Sequence, residues 1–289
     1  MGQVPLSLPI LQHVFHPSDF SAASDTAFAH ALKVALTVKA TLTIFHVSSD
    51  QEENWTEFPG VRRTFERWGI LPKDSPKSAV PQLGIAVEKV IAQGNDPVKS
   101  VLGFLELHPC DLIVLTTQQD KGQVLWLEQS VAKPVARESH QMTLFIPAGA
   151  EGFVSLQDGT VSLKNILIPV APVPKAQPAI QAAVRIAGQL ECSAGQFTVL
   201  YVGDDREMPE VSCPILPGWE WTKVSQKGDI TQVILQTARG MEADLIVMST
   251  EGRHGFLDAL RGSTSEQVLR QCACPILAIP TNSWISSVL

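Results

Sequence analysis

Near the end of the chain, Ser249-Thr-Glu-Gly252 is followed, after nine intervening residues, by Gly262-Ser263-Thr264-Ser265-Glu266. Glycine allows a backbone to turn at positive φ and to approach a ligand closely. Gly262-Ser263 reads as the start of a helix, whose free N–H groups and positive dipole end suit an anion such as phosphate. Ser263 and Glu266 also fit a capping box, so the same residues could do no more than begin a helix. Patterns for catalysis are missing. There is no Gly-x-x-x-x-Gly-Lys-Ser/Thr, no Gly-x-Ser-x-Gly and no His-Glu-x-x-His. Asp19 has no nucleophile or base that spacing places beside it. The chain is therefore expected not to be an enzyme. His13 and His16, three apart on a strand, point to opposite faces and do not form a metal pair. Cys272-Ala-Cys274 lacks a second ligand pair, and the five cysteines are too scattered for a disulfide framework.

Positioning such a loop requires a scaffold, and the scaffold occurs twice. Asp111-Leu-Ile-Val-Leu-Thr-Thr117 lies over Asp244-Leu-Ile-Val-Met-Ser-Thr250 at an offset of 133, which also carries Ser130 to Ser263, Arg137 to Arg270 and Pro147 to Pro280. Upstream the offset is 134 (Gly84 to Gly218, Gly94 to Gly228), and further back it is 152 (Pro17 to Pro169, Ala31 to Ala183). The change reflects extra length between Val47 and Gly84, where Val61, Phe65 and Trp68 recur at helical spacing. The second copy replaces this with the Pro-rich stretch Met208 to Gly218 and is expected to have lost a helix. Ile166-Leu-Ile-Pro-Val170 and Asp244-Leu-Ile-Val-Met248 are short aliphatic runs of the kind buried on both faces of a parallel sheet. Apolar residues at 179, 180, 183, 184, 187 and 190 form a helical stripe. Strands and helices alternating in this way predict an α/β protein made of two tandem, doubly wound parallel-sheet domains. The expected division is 1–148 and 164–289, with a linker at 149–163 that Asp158-Gly159 marks as a small β-ribbon. Trp219 and Trp221 alternate on a strand and read as core or interface residues.

A composition of 45% hydrophobic and 18% charged residues can build two cores. The formal charge of −7, with no basic stripe, argues against nucleic acid and membrane surfaces as partners. Neither a signal peptide nor a spanning segment is legible, so a cytoplasmic location is expected.

The glycine loop resembles that of the universal stress proteins. Their ATP-binding members carry glycine, two residues, glycine, nine residues, glycine, then serine or threonine. Here the spacing is kept, with Ser249 in the first glycine position, then Gly252, Gly262 and Ser263. Arg253-His254-Gly255-Phe256, the Pro17-Ser-Asp19-Phe-Ser21 turn, Asp96-Pro97, Gly228-Asp229 and the closing Cys274-Pro-Ile-Leu-Ala-Ile279 are similar to the family as well. The resemblance implies a Rossmann-like fold and an adenine-nucleotide site, for ATP or a relative, at the carboxyl ends of the second copy's strands. Its residues would be Pro169, Val170, Ala171, Val202, Met248, Ser249, Gly252, Arg253, Gly262, Ser263, Thr264 and Ser265. His254 reads as a surface loop histidine. Both copies depart from the pattern. Ala171 stands where the family has an aspartate that contacts the nucleoside, a loss of roughly 1 to 3 kcal/mol if a partner is left unsatisfied, or about five- to 150-fold in affinity. The first copy keeps Asp19 but reads Thr116-Thr-Gln-Gln119 and Gln129-Ser130, without the glycines, and has Lys133 and Glu128 where the second has Glu266 and Arg261.

The resemblance also implies that the two copies pack as an internal dimer, with their last strands, near Thr143 to Ile146 and Ile276 to Ile279, paired across a pseudo-twofold axis. Three functions remain open on these residues. One is a non-enzymatic stress-response regulator that binds an adenine nucleotide in its second copy. Another is a ligand-free scaffold for protein interaction. The third is a synthetase-like enzyme using ATP, which would need a Ser-Gly-Gly-like loop that neither copy supplies.

Overall fold

The computed structural model describes residues 11–49, 55–117, 132–250 and 264–281. The first copy runs β1 (His13–Pro17), α1 (Ala22–Val38), β2 (Thr41–Ser48), α2 (Val61–Arg67), α3 (Ala79–Gln82), β3 (Ala86–Gln93), α4 (Pro97–Leu107), β4 (Leu112–Thr117), α5 (Ala132–Glu138) and β5 (Met142–Pro147). The second runs β6 (Asn165–Val170), α6 (Gln177–Gln189), β7 (Gly195–Val202), β8 (Trp219–Gln226), α7 (Ile230–Gly240), β9 (Leu245–Thr250), α8 (Thr264–Gln271) and β10 (Ile276–Pro280). The helical spacing of Val61, Phe65 and Trp68 becomes α2 and its C-cap. Between β7 and β8 the second copy has only the short 3-10 turn Asp205–Glu207, so α2 and α3 have no counterpart there.

The ten strands of the described residues form one sheet in the order β3-β2-β1-β4-β5-β10-β9-β6-β7-β8. Pairing is parallel throughout, except where β5 meets β10 antiparallel, with Phe145 opposite Ile276 and Thr143 opposite Ala278. The two halves of the order mirror one another about that seam. The repeat is visible in single hydrogen bonds. Asp111 Oδ2 accepts from the N–H groups of Gln12 and His13, and Asp244 Oδ2 accepts from those of Lys164 and Asn165, all at 2.8 to 2.9 Å. Asp96 and Asp229 cap α4 and α7 by accepting from the backbone three residues on.

Alternating side chains divide the core between the faces of the sheet. One face carries a continuous layer in which α1 and α6 cover residues from both copies, including Val14, Leu42, Leu144, Ile166 and Leu277. On the other face, α4 and α5 lie over Phe15, Phe45 and Ile113, and separately α7 and α8 lie over Leu167, Leu200 and Ile246. Trp219 and Trp221, two apart and so on one face, both stack on Phe197 with ring centroids 4.4 Å away.

The segment joining the copies is ordered against the first. Val154 and Val161 form an antiparallel bridge. His30, fully buried in α1, accepts at Nε2 from the N–H groups of Phe153 and Val154, while its Nδ1 donates to Thr26 O. Trp68 Nε1 donates to Leu156 O. A Cβ on Gly152 would overlap the His30 ring, and one on Gly159 the Trp68 ring.

Candidate functional site

An open parallel sheet makes a crevice where the chain leaves the first strand to one side and later returns on the other. Both copies have such a point. β1 and β4 share only the register pairs Val14–Leu112 and Phe15–Ile113, and β6 and β9 only Ile166–Leu245 and Leu167–Ile246. Past these pairs the strand ends part.

In the first copy the crevice is a cavity of 270 Å³ lined by Pro17, Ser18, Asp19, Val47, Leu115, Thr116 and Ala132, among others. The repeat offsets and the strand register carry these seven positions onto Pro169, Val170, Ala171, Val202, Met248, Ser249 and Ser265. The pairing of Val47 with Val202 rests on register, because His13 pairs with Thr41 as Asn165 does with Gln196. Seven of the twelve residues expected at the site thus have counterparts around one cavity. Thr264 opens α8. Gly252, Arg253, Gly262, Ser263 and His254 lie outside the described residues, as do Gln119, Gln129 and Ser130 of the first copy's loop.

The two crevices differ in chemistry. In the first, Asp19 Oδ1 accepts from both the N–H and the hydroxyl of Ser21 at 3.0 and 2.7 Å. Ser18 Oγ contacts Ser24 Oγ, Ser24 Oγ contacts His16 Nε2, and His46 Nδ1 donates to Ser18 O. Thr116 Oγ1 donates to Ala23 O. These polar groups are mutually satisfied. Burial lowers the pKa of His16 to about 4, so its ring is neutral, donating from Nδ1 to Val114 O. In the second copy the corresponding side chains are those of Val170 and Ala171, and Ser249 Oγ is buried with no hydrogen-bond partner among the described residues. Asp204, two residues beyond Val202, is held by Lys227 at 3.0 Å.

His13 and His16 part as expected. His13 bonds Thr43 Oγ1 and Pro109 O, whereas His16 turns to Val114 O. No group of three or more metal-ligating side chains occurs among the described residues. Cys272 and Cys274 bring their Sγ atoms within 3.3 Å of each other. Among the described residues, no helix is long and apolar enough to cross a membrane.

A model of the universal stress protein family matches residues 11–147 and 217–280, well over half of the chain. The chain belongs to the universal stress protein family. Solved universal stress proteins share its fold over nearly the whole length. One from Archaeoglobus fulgidus is 18% identical, with a TM-score of 0.60, covering 93% of this chain and 98% of that one. A putative one from Pseudomonas aeruginosa is 14% identical, with a TM-score of 0.61 and coverage of 96% and 95%. No curated protein matches the sequence. The family match omits residues 148–216, which include β6, Ala171 and β7. The second copy therefore keeps the family's architecture through the stretch where its sequence departs furthest.

Proposed function

We propose that this universal stress protein is a non-enzymatic regulator whose second copy holds ATP or a related adenine nucleotide in the crevice between β6 and β9. The observation that carries the reading is the equivalence of Pro169, Val170, Ala171, Val202, Met248, Ser249 and Ser265 to seven residues lining a single cavity in the first copy. Ser249 Oγ supplies an unspent hydrogen-bonding group. Gly252, Gly262 and Ser263 supply the spacing of a phosphate-binding loop, and Arg253 a cation beside it. The antiparallel seam of β5 and β10 would act as an internal version of a dimer interface, so that a ligand in one copy biases the other. In this reading the protein works in the cytoplasm.

The protein, purified without added nucleotide and then denatured, is expected to release ATP or ADP near one per chain. Gly252→Val and Gly262→Val should abolish the release. Ala171→Asp, which restores the carboxylate, should tighten binding by roughly five- to 150-fold. If nothing is released and titration with millimolar ATP shows no binding, the nucleotide reading fails.

A scaffold without ligand is the second reading. It is favoured by the first copy, where Asp19 is already satisfied by Ser21 and the motif glycines are replaced.

A further inference from the structure

The segment bearing α2 and α3, present only in the first copy, encloses a second and larger cavity away from the crevice. Its volume is 820 Å³, within the roughly 300 to 1,000 Å³ usual for small-molecule sites. The floor is apolar, formed by Phe28 of α1 with Val61 and Val80. One wall is aromatic. Phe58, almost fully buried, stacks on Trp55 with centroids 5.6 Å apart and planes 17° from parallel. The remainder is cationic, with Arg63 and Arg67 on α2, Lys77 before α3, and Lys89 on β3.

Arg62 beside these cations is bound into the fold, pairing with Glu66 and donating to Ser75 O. Among the described residues, no carboxylate lies within ion-pair distance of Arg63, Arg67, Lys77 or Lys89. Lys89 Nζ instead sits 5.4 Å over the Phe58 ring. Burial, and then the charge of Lys77, hold the Lys89 ammonium below the ordinary lysine range. Asp25 is the one acidic residue on the lining. Its charge is felt by Arg67, but one carboxylate against Arg63, Arg67, Lys77 and Lys89 leaves net positive charge around one apolar hollow in a chain of net charge −7. Like charges held together are repulsive, and an anion entering among them relieves the repulsion.

We infer that this cavity is a binding site for an organic anion with a planar ring, its phosphate or carboxylate held by Arg67 and Lys77 beside Lys89 and its ring laid against Phe58 and Trp55. The site is distinct from the nucleotide crevice. Phe20 stands between them, stacked on His46 at 3.9 Å on the crevice side and meeting Phe58 edge-on at 5.1 Å on the other.

The probe is pyridoxal phosphate, a planar ring carrying both a phosphate and an aldehyde. An unprotonated lysine amine condenses with the aldehyde, releasing water, and added borohydride delivers hydride to the resulting imine to leave a stable secondary amine. Peptide mapping then identifies the labelled lysine. Lys89 is expected to be labelled at low reagent concentration, ahead of the exposed Lys99. Excess phenyl phosphate should protect Lys89, and pyridoxal, which lacks the phosphate, should show no preference for it. Arg67→Glu and Lys77→Glu change exposed side chains and leave the fold intact by circular dichroism. Each should lower the preference for Lys89 by roughly tenfold, the loss of one charge-assisted contact. Labelling of Lys89 no faster than Lys99, or a preference that survives both variants, overturns the assignment. Gly252→Val should leave Lys89 labelling unchanged, so this result stands or falls apart from the nucleotide reading.

Discussion

The two copies agree in the residues that hold backbone and differ in those that could do chemistry. Asp111 and Asp244 tie the first strand of each copy to its fourth through the same pair of N–H groups, and Asp96 and Asp229 cap equivalent helices. Yet His16 and His30, buried in the first copy, correspond to Ile168 and Ala182 in the second. The first copy has spent these two histidines on internal structure, including the docking of the joining segment. The second has an apolar interior at those positions and leaves a serine hydroxyl unspent at its crevice. A duplicated fold can therefore keep its frame while its two crevices diverge in chemistry.

The sharpest way to break the equivalence is at its paired glycines. Gly84 and Gly218 both adopt positive φ, +80° and +81°, where an L side chain costs about 1 to 2 kcal/mol. Their surroundings differ. A Cβ at Gly84 would meet the Lys39 side chain at 3.0 Å, which can swing aside, but a Cβ at Gly218 would lie 2.0 Å from the backbone oxygen of Ser193. Gly218→Ala is therefore expected to cost roughly 3 to 5 kcal/mol, adding overpacking to backbone strain, and Gly84→Ala only about 1. Urea denaturation of the two variants measures the difference. Equal losses would mean that the Pro-rich segment before Gly218 yields as readily as a lysine side chain.

Acid should separate the copies next. Burial lowers the pKa of His30 to about 4 from the ordinary 6.5, and protonation at Nε2 would destroy the acceptor that holds Phe153 and Val154. The unfolded chain takes up its proton first as pH falls through 6.5. The stability from the neutral ring is thus fully present above 6.5 and is lost progressively down to about 4. The linkage is worth roughly 3 kcal/mol for such a shift, and His16 acts in the same direction. Hydrogen exchange across this window should show α1 and the 153–154 segment opening before α6. His30→Leu should remove much of the pH dependence while costing about 2 kcal/mol at neutral pH, because two buried N–H groups lose their acceptor. Simultaneous opening of α1 and α6 would show that the shared apolar layer, not His30, governs acid stability.

Much of this frame was legible because a repeat constrains itself. The offset of 133 paired Asp111 with Asp244 and set the two last strands in equivalent places, and β5 and β10 do pair there, antiparallel. The strand-end candidates, Val202 among them, rest on the family resemblance, which puts its ligand at the carboxyl ends of the strands, since nothing in the Val202 side chain is distinctive. What stayed hidden was partnership. His30 lies within the buried stripe of Ala27, Ala31 and Val34, and helical spacing marks its face without naming Phe153 as what it meets. The cationic cavity was missed for the same reason. Arg67, Lys77 and Lys89 are separated along the chain, so no charge run announces them, and only the fold of α2 and α3 against β3 brings them together.

The smallest effect tests the frame itself. Asp111→Asn and Asp244→Asn each keep the side-chain shape but replace a charged acceptor of two backbone hydrogen bonds by a neutral one. Charge-assisted bonds are about twice as strong as neutral ones, so each change should cost about 1 to 2 kcal/mol. The two costs should agree, since donors, distances and partial burial are alike in both copies. Denaturant midpoints for the two single variants and the double variant decide the matter. Equal and additive losses mean that each copy carries its own independent tie between first and fourth strands. A double variant that loses more than the sum would mean that the ties support one another across the β5–β10 seam, making the ten-stranded sheet one cooperative unit.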